Sequence, residues 1–161
     1  MIDIKSSGTE TYQAIHNELA KYRSMLTRVE DGKVVEGAVQ IIVSGNRDKE
    51  TIAASNPRYV GLDGRISDVD TDMPSHLMPM ISDNWRVHFK WRGEGEMSEQ
   101  DKKKMTEIIT KAHDAGRRVR FWATPEVPAL WKVLSEAGAD AINTDQLANL
   151  EDFLRKEKIG Q

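Results

Sequence analysis

The sequence predicts an α/β fold of about six parallel strands joined by helical crossovers. Short alternating or β-branched segments recur along the whole chain, and segments with helical spacing of apolar residues lie between them. The β-branched segment 38–43 is apolar on both faces, as in buried parallel strands. Two architectures fit this alternation, an open doubly wound sheet and a (β/α) barrel, and both place their chemistry at the carboxyl ends of the strands.

The first part of the chain predicts two strands around one helix. Residues 2–5 alternate apolar and charged side chains, which is typical of a short strand. After a turn at 6–9, apolar side chains over 12–22 recur at helical spacing. A polar stretch around Asp31-Gly32-Lys33 then leads into the buried strand 38–43.

The next segments predict a short helix, a strand, a loop and another strand. Asn46-Arg47-Asp48 begins the helix, which ends before Asn56-Pro57. Residues 59–63 predict a strand, 64–79 a loop, and 80–83 a further short strand.

The last third predicts helix and strand in regular alternation. Ser98 caps a helix that Gly116 ends, and the apolar segment 117–123 predicts the strand that follows it. Pro125 is expected to begin the next helix, which Gly138 closes. Residues 141–145 predict the last strand, and Leu147, Leu150 and Leu154 mark a terminal helix.

Composition excludes several classes of function. The 161 residues carry 23 Lys and Arg against 26 Asp and Glu, so the net charge of −3 argues against general nucleic-acid binding. With no cysteine, the chain has no disulfide, thiolate metal site or cysteine nucleophile. No apolar run reaches the ~18 residues of a membrane span, and the first residues do not form a signal peptide, so the localisation stays open.

Residues at the predicted strand ends are rich in carboxylates, cations and amides. They are Asp3, Lys5, residues 44–47, Asp63, Arg65, residues 83–85, Trp122, Thr124, Asn143 and Asp145. Such carboxylates can hold a hard divalent cation and such cations can bind phosphate, although a salt bridge or loop cap explains any single one equally well. The acidic run 68–72 is not a calcium loop, because Met73 and Pro79 stand where Gly and Glu are needed.

The histidines offer no evident general acid or base from the sequence. His16 and His113 fall within predicted helices, while His76 and His88 fall in predicted loops, and none is expected at a strand end beside a carboxylate. The chain also lacks the glycine-rich nucleotide motifs and the esterase G-x-S-x-G motif.

Six short stretches, taken in order, resemble one family. They are Ile2-Asp3-Ile4-Lys5, Ile42-Val43-Ser44-Gly45-Asn46-Arg47, Gly61-Leu62-Asp63-Gly64-Arg65, Ile81-Ser82-Asp83-Asn84-Trp85, Arg118-Val119-Arg120-Phe121-Trp122-Ala123-Thr124-Pro125 and Ile142-Asn143-Thr144-Asp145. In order and spacing they resemble the later strands of bacterial phosphatidylinositol-specific phospholipase C-like and glycerophosphodiester phosphodiesterase-like proteins.

The resemblance implies a TIM-type barrel that cleaves phosphodiesters, with a divalent cation, Ca²⁺ or Mg²⁺, held by carboxylates. It places Asp3 as the acidic metal ligand of the third strand and Lys5 as the lysine facing the phosphate. It places Trp122 as an aromatic wall of the substrate pocket, and Asn143 and Asp145 at the end of the eighth strand. Family members act in lipid metabolism, and a secreted or periplasmic location is plausible for a full-length member.

The chain departs from the family at its catalytic histidines. In the family these lie on the first two strands, and no such segment precedes Asp3 here. Since TIM barrels typically have about 250 residues, the 161 residues are expected to form a single domain comprising the C-terminal portion of a (β/α)8 barrel that lacks the first two βα units. Such a chain is expected to be inactive or nearly so alone, and its exposed edge strands favour self-association or complementation by the missing strands.

Three functions remain open from the sequence. The first is a portion of a metal-dependent phosphoric diester hydrolase for glycerophosphodiester or phosphoinositide-type substrates. The second is a non-catalytic module that self-associates or binds an anion through Lys5, Arg47 and Lys90. The third is an unrelated barrel hydrolase that uses paired carboxylates such as Asp63 and Asp83.

Overall fold

The computed structural model describes residues 1–159, in which short strands alternate with helices. The strands are β1 (Ile2–Ile4), β2 (Arg28–Glu30), β3 (Lys33–Val35), β4 (Ile41–Gly45), β5 (Val60–Gly64), β6 (Met80–Asn84), β7 (Arg118–Trp122) and β8 (Ala141–Ile142). The helices are α1 (Gly8–Ala20), α2 (Lys49–Ala54), α3 (Trp85–His88), α4 (Glu99–Asp114), α5 (Pro128–Glu136) and α6 (Leu147–Ile159), with a 3-10 turn at Ile66–Asp68.

The sheet topology distinguishes the two architectures that the sequence left open. Six strands follow the order β1-β4-β5-β6-β7-β8. A doubly wound sheet reverses direction at a switch point, whereas this order runs in one direction only, as in a barrel. The predicted α/β fold with parallel strands and helical crossovers is confirmed, and it is consistent with an incomplete TIM-type barrel.

The described chain divides into two compact units, of which the first comprises Met1–Gly64 with Thr71–Met80. Here β1, β4 and β5 pair in parallel, with Ile2 opposite Val43 and Val43 opposite Leu62. Ile42 and Val43 of β4 are successive residues and both are buried, as is typical of a strand that is buried on both faces. In α1, the Tyr12 hydroxyl donates to Ser55 Oγ at 2.9 Å, which ties the helix to the end of α2.

The second unit comprises Arg65–Asp70 and the chain from Ile81 onwards. Val119 and Phe121 of β7 are buried on one face of the strand, and Phe121 contacts the rings of Trp85 and Phe89. Helix α4 begins as predicted, because Ser98 Oγ accepts a hydrogen bond from the Asp101 amide at 3.1 Å.

A β-hairpin lies where the sequence predicted only a polar stretch. Strands β2 and β3 are antiparallel, and the turn between them places Asp31 and Gly32 at φ values of 50° and 74°. Asp-Gly is a favoured pair for such a turn, so the signal for this hairpin is present in the sequence.

Two predicted boundaries in the second unit are wrong. Helix α5 begins at Pro128 rather than Pro125, because Glu126 accepts hydrogen bonds from the Thr144 hydroxyl and the Asp145 amide and holds its segment outside the helix. Strand β8 has two residues rather than five. The backbone carbonyl of Asn143 accepts from the Thr124 hydroxyl, a side-chain bond in place of a strand ladder.

No helix among residues 1–159 is long and apolar enough to cross a membrane.

Candidate functional site at the carboxyl ends of the strands

In the first unit, an acid and a cation meet at the end of β1. Asp3 Oδ2 lies 2.5 Å from Lys5 Nζ, and the two side chains are 49% and 81% exposed. The structure thus places the predicted metal ligand and the predicted phosphate-facing lysine together, as an ion pair that a ligand can reach.

The loop after β4 holds the end of β1 in place. The Asn46 backbone amide donates to the Ile4 carbonyl at 2.8 Å, and the Asn46 side-chain Nδ2 donates to the Lys5 and Ser6 carbonyls. Gly45 has a φ of 74°, and a Cβ at this position would collide with the Ile4 carbonyl oxygen and Asp3 Oδ1. Only glycine allows the two strand ends to approach so closely.

A buried serine and carboxylate continue this site across the sheet. Ser44 lies opposite Asp3 in the strand register, and its hydroxyl donates to Asp63 Oδ2 at 2.7 Å. Asp63 is fully buried and Ser44 nearly so. The predicted residue Arg47 lies just beyond them, where its Nη1 donates to the Gly45 carbonyl at 3.2 Å.

In the second unit, Arg120 of β7 donates hydrogen bonds to Ser82 of β6 and to Asn143, which directly follows β8. Its Nε and Nη2 donate to Ser82 Oγ at 3.3 and 3.0 Å, and its Nη1 donates to Asn143 Oδ1 at 3.4 Å. Arg65 Nη1 donates to the Ser82 carbonyl at 3.2 Å, so two guanidinium groups meet at one serine.

A histidine and a carboxylate also meet at the end of β6, which corrects the expectation that no histidine would do so. His88 Nε2, shielded from solvent, lies 3.1 Å from Asp83 Oδ2. Asp83 accepts hydrogen bonds from the Asn84 amide at 2.8 Å and from the Ile66 amide at 3.2 Å. The contact is not a hydrogen bond, because His88 Nε2 has no hydrogen-bond partner among the residues that the structure describes. An imidazole beside a carboxylate is nevertheless a pair of groups that can exchange protons with a ligand.

The short helix α3 explains why the sequence did not reveal this pair. Asn84 caps α3 by accepting a hydrogen bond from the Arg86 amide at 2.9 Å, so a single helical turn brings His88 back to Asp83. An Asn directly after a predicted strand is the capping signal that points to this turn.

The remaining predicted residues lie apart from these clusters. Trp122 is partly buried and precedes Ala123, whose φ is 54°. Lys90 is exposed in the second unit, whereas Lys5 and Arg47 belong to the first, so the three predicted anion-binding cations do not lie in one unit. Asp145 is exposed beyond β8.

These residues do not by themselves fit a divalent cation. Within residues 1–159, no three or more His, Asp or Glu side chains lie close enough together to hold a metal ion. Asp3 offers one carboxylate, already paired with Lys5, whereas Ca²⁺ takes six to eight oxygen ligands. No chemical step is therefore assigned to a metal.

The second unit contains the stretch that matches a known family. Residues 118–148, which span β7, α5 and β8, match the model of the glycerophosphoryl diester phosphodiesterase family. The chain is similar to this family. The resemblance to glycerophosphodiester phosphodiesterase-like proteins is thereby confirmed over this stretch, which includes Arg120, Trp122 and Asn143.

A curated relative covers more of the chain. "Altered inheritance of mitochondria protein 6" of Eremothecium gossypii is 25% identical over 157 residues, which cover 86% of this chain and 39% of the relative. The chain therefore spans about two fifths of that relative's length. The relative is fungal, so the bacterial origin expected from the resemblance gains no support. No solved structure matches the chain.

Proposed function

We propose that this chain is a phosphodiester-binding portion of a phosphoric diester hydrolase of the glycerophosphodiester phosphodiesterase type. The observation that carries the proposal is the coincidence of two features. The stretch similar to the family, 118–148, is also the stretch from which Arg120 and Asn143 come together.

The chemistry of the strand ends supports this substrate class. A phosphodiester carries one negative charge, and its hydrolysis builds charge on the phosphoryl oxygens, which fixed cations and N–H groups stabilise. Arg65 and Arg120 meet at Ser82, and Lys5 lies exposed at the end of β1. His88 Nε2 lies 3.1 Å from Asp83 Oδ2 at the end of β6, where its imidazole can take part in proton transfer.

We further propose that the chain alone is inactive or nearly so, as a part of a barrel without the first two βα units. Each missing proton-transfer group lowers turnover by about 10²- to 10⁴-fold. In this proposal Asp3 contributes one ligand of a Ca²⁺ or Mg²⁺ site whose other ligands are not among the described residues. Because a single carboxylate paired with Lys5 does not make a cation site, calorimetry with Ca²⁺ is expected to show no saturable binding to this chain alone.

Two assays on the full chain test the function. Binding of glycerophosphocholine, a glycerophosphodiester, is measured by calorimetry, and its hydrolysis is measured in the presence of Ca²⁺ or Mg²⁺. We expect binding with little or no turnover. Turnover at an ordinary enzyme rate would contradict the inactivity, and absence of binding at millimolar concentration would refute the substrate class.

Anion binding without hydrolysis is the second candidate. It is favoured by Arg120, whose described partners are all neutral. Adding a segment that carries the family's histidines separates the candidates, because a hydrolase portion gains turnover from this segment, whereas an anion-binding module does not.

A further inference from the structure

Arg120 lies on the polar face of β7, inside the second unit. Val119 and Phe121 point to the buried face and are 1% and 0% exposed, so their neighbour Arg120 points to the opposite face. There it is partly buried, with Ser82 of β6 on one side and Asn143 after β8 on the other. Its guanidinium group is therefore held between two strands and is not extended into solvent.

The partners of Arg120 carry no charge. Its hydrogen bonds go to a hydroxyl and an amide oxygen, and it forms no ion pair with any carboxylate side chain that the structure describes, up to residue 156. By contrast, Arg28, which is likewise partly buried, pairs with Glu30 at 3.2 Å. Partly buried charges in proteins are normally paired, because desolvation disfavours a lone charge.

The same cluster has hydrogen-bond donors to spare. A guanidinium has five N–H donors, of which Arg120 uses three, and the bond from Nη1 is long at 3.4 Å. Ser82 accepts from Arg120, and its own hydroxyl hydrogen has no acceptor in the described part of the chain. Asn143 Nδ2 likewise donates to no described acceptor.

We propose that Arg120, Ser82 and Asn143 form a binding subsite for a phosphoryl oxyanion. An anion seated against Nη1 supplies the negative charge that Arg120 lacks, and the planar fork of arginine matches two phosphate oxygens. The choice of phosphate over other anions rests on the proposed function. The presence of an anion subsite rests on the contacts of Arg120 alone.

The test compares two arginines on one strand. Arg118 and Arg120 are two residues apart in β7, but Arg118 is exposed, so Arg118→Gln removes the same charge from the same strand without touching the subsite. Binding of inorganic phosphate and of glycerophosphocholine to the full chain is measured by calorimetry. We expect Arg120→Gln to weaken binding of both about 10- to 100-fold. Arg118→Gln is expected to change binding less than about twofold.

Each outcome has one meaning. If phosphate binds through Arg120 but the diester does not, the subsite is supported and the proposed function fails. If the diester binds equally well to wild type and Arg120→Gln, the subsite is refuted and the proposed function is not. If neither ligand binds, both are refuted.

A second measurement covers the case in which Arg120→Gln does not fold. Phosphate is titrated into the ¹⁵N-labelled wild-type chain, and the backbone amide signals of Ser82, Arg120 and Asn143 are followed. Saturable shifts at these residues, absent at Arg118, support the subsite. Shifts that are uniform or confined to exposed lysines overturn it.

Discussion

Replacing Gly45 by alanine adds one methyl group where the ends of β1 and β4 meet, and so tests how closely these two strands approach. The φ of Gly45, 74°, lies in the left-handed region, and its Cα faces the Ile4 carbonyl and the Asp3 carboxylate. Gly32 in the hairpin turn has the same φ of 74° but has no atom within 4 Å of where a Cβ would stand. The two glycines therefore share the same φ, and they differ in the space that a Cβ would find around it.

The magnitude follows from this difference. Placing alanine in the left-handed region costs about 1–2 kcal/mol at either position. At Gly45 the new methyl group must also push β1 away, which breaks the 2.8 Å bond from the Asn46 amide to the Ile4 carbonyl and costs about 1 kcal/mol more. We expect Gly45→Ala to lower the free energy of unfolding by about 2–3 kcal/mol and Gly32→Ala by about 1–2 kcal/mol.

Urea unfolding followed by circular dichroism, with calorimetric melting, measures both variants. The expected shift of the melting temperature for Gly45→Ala is about 4–12 °C, at about 2–4 °C per kcal/mol for a chain of this size. Replacing glycine by alanine also lowers the conformational entropy of the unfolded chain. This effect is the same for both substitutions and cancels in the comparison. If the two variants lose equal stability, the close approach of β1 and β4 at Gly45 is refuted.

Three further predictions concern acid, proton transfer and association. The Thr9 hydroxyl, the Thr51 backbone amide and the Thr51 hydroxyl donate hydrogen bonds to Asp48 and lower its pKa from 3.8 to about 2. The stability that Asp48 contributes is therefore fully present above pH 3.8 and is lost as the pH falls towards 2. Urea unfolding of Asp48→Asn is expected to lose this pH dependence. His88→Gln should lower any residual phosphodiester hydrolysis by about 10²-fold or more. His113 also pairs with a carboxylate, Asp140 at 2.8 Å before β8, and His113→Gln should leave hydrolysis unchanged. Equal effects of the two variants in a turnover assay would contradict the role of His88. Because β1 and β8 end the sheet order, light scattering is expected to show self-association, and a well-folded monomer at micromolar concentration would count against it.

Residues close together in the sequence carried most of the fold. The β-branched segment 38–43 and the capping serine Ser98 are local signals. The segment predicted a strand that the structure places three residues later, at Ile41–Gly45, and Ser98 caps the helix that it predicted. The Asp31-Gly32 pair is an equally local signal for the hairpin, although the polar residues around it predict only a connecting stretch. Backbone preferences over a few residues are enough to determine such elements.

The candidate site was predictable only where its residues lie close together in the sequence. Asp3 and Lys5 are two residues apart, so alternation along β1 already places them on one face, and the structure pairs them. His88 and Asp83 required a four-residue helix whose capping residue is the end of a strand. A single turn of helix has little stability of its own, and Trp85 and Phe89, packed against Phe121, supply it.

By itself, the sequence determined the α/β class, the parallel strands and the end of the sheet at which polar residues collect, because these follow from periodicity and short connections. Only the tertiary structure decided that Arg120 lies between Ser82 and Asn143, residues 38 and 23 positions away along the chain. Contacts at such separations depend on strand order and register, which packing of the whole sheet sets and which no local pattern encodes.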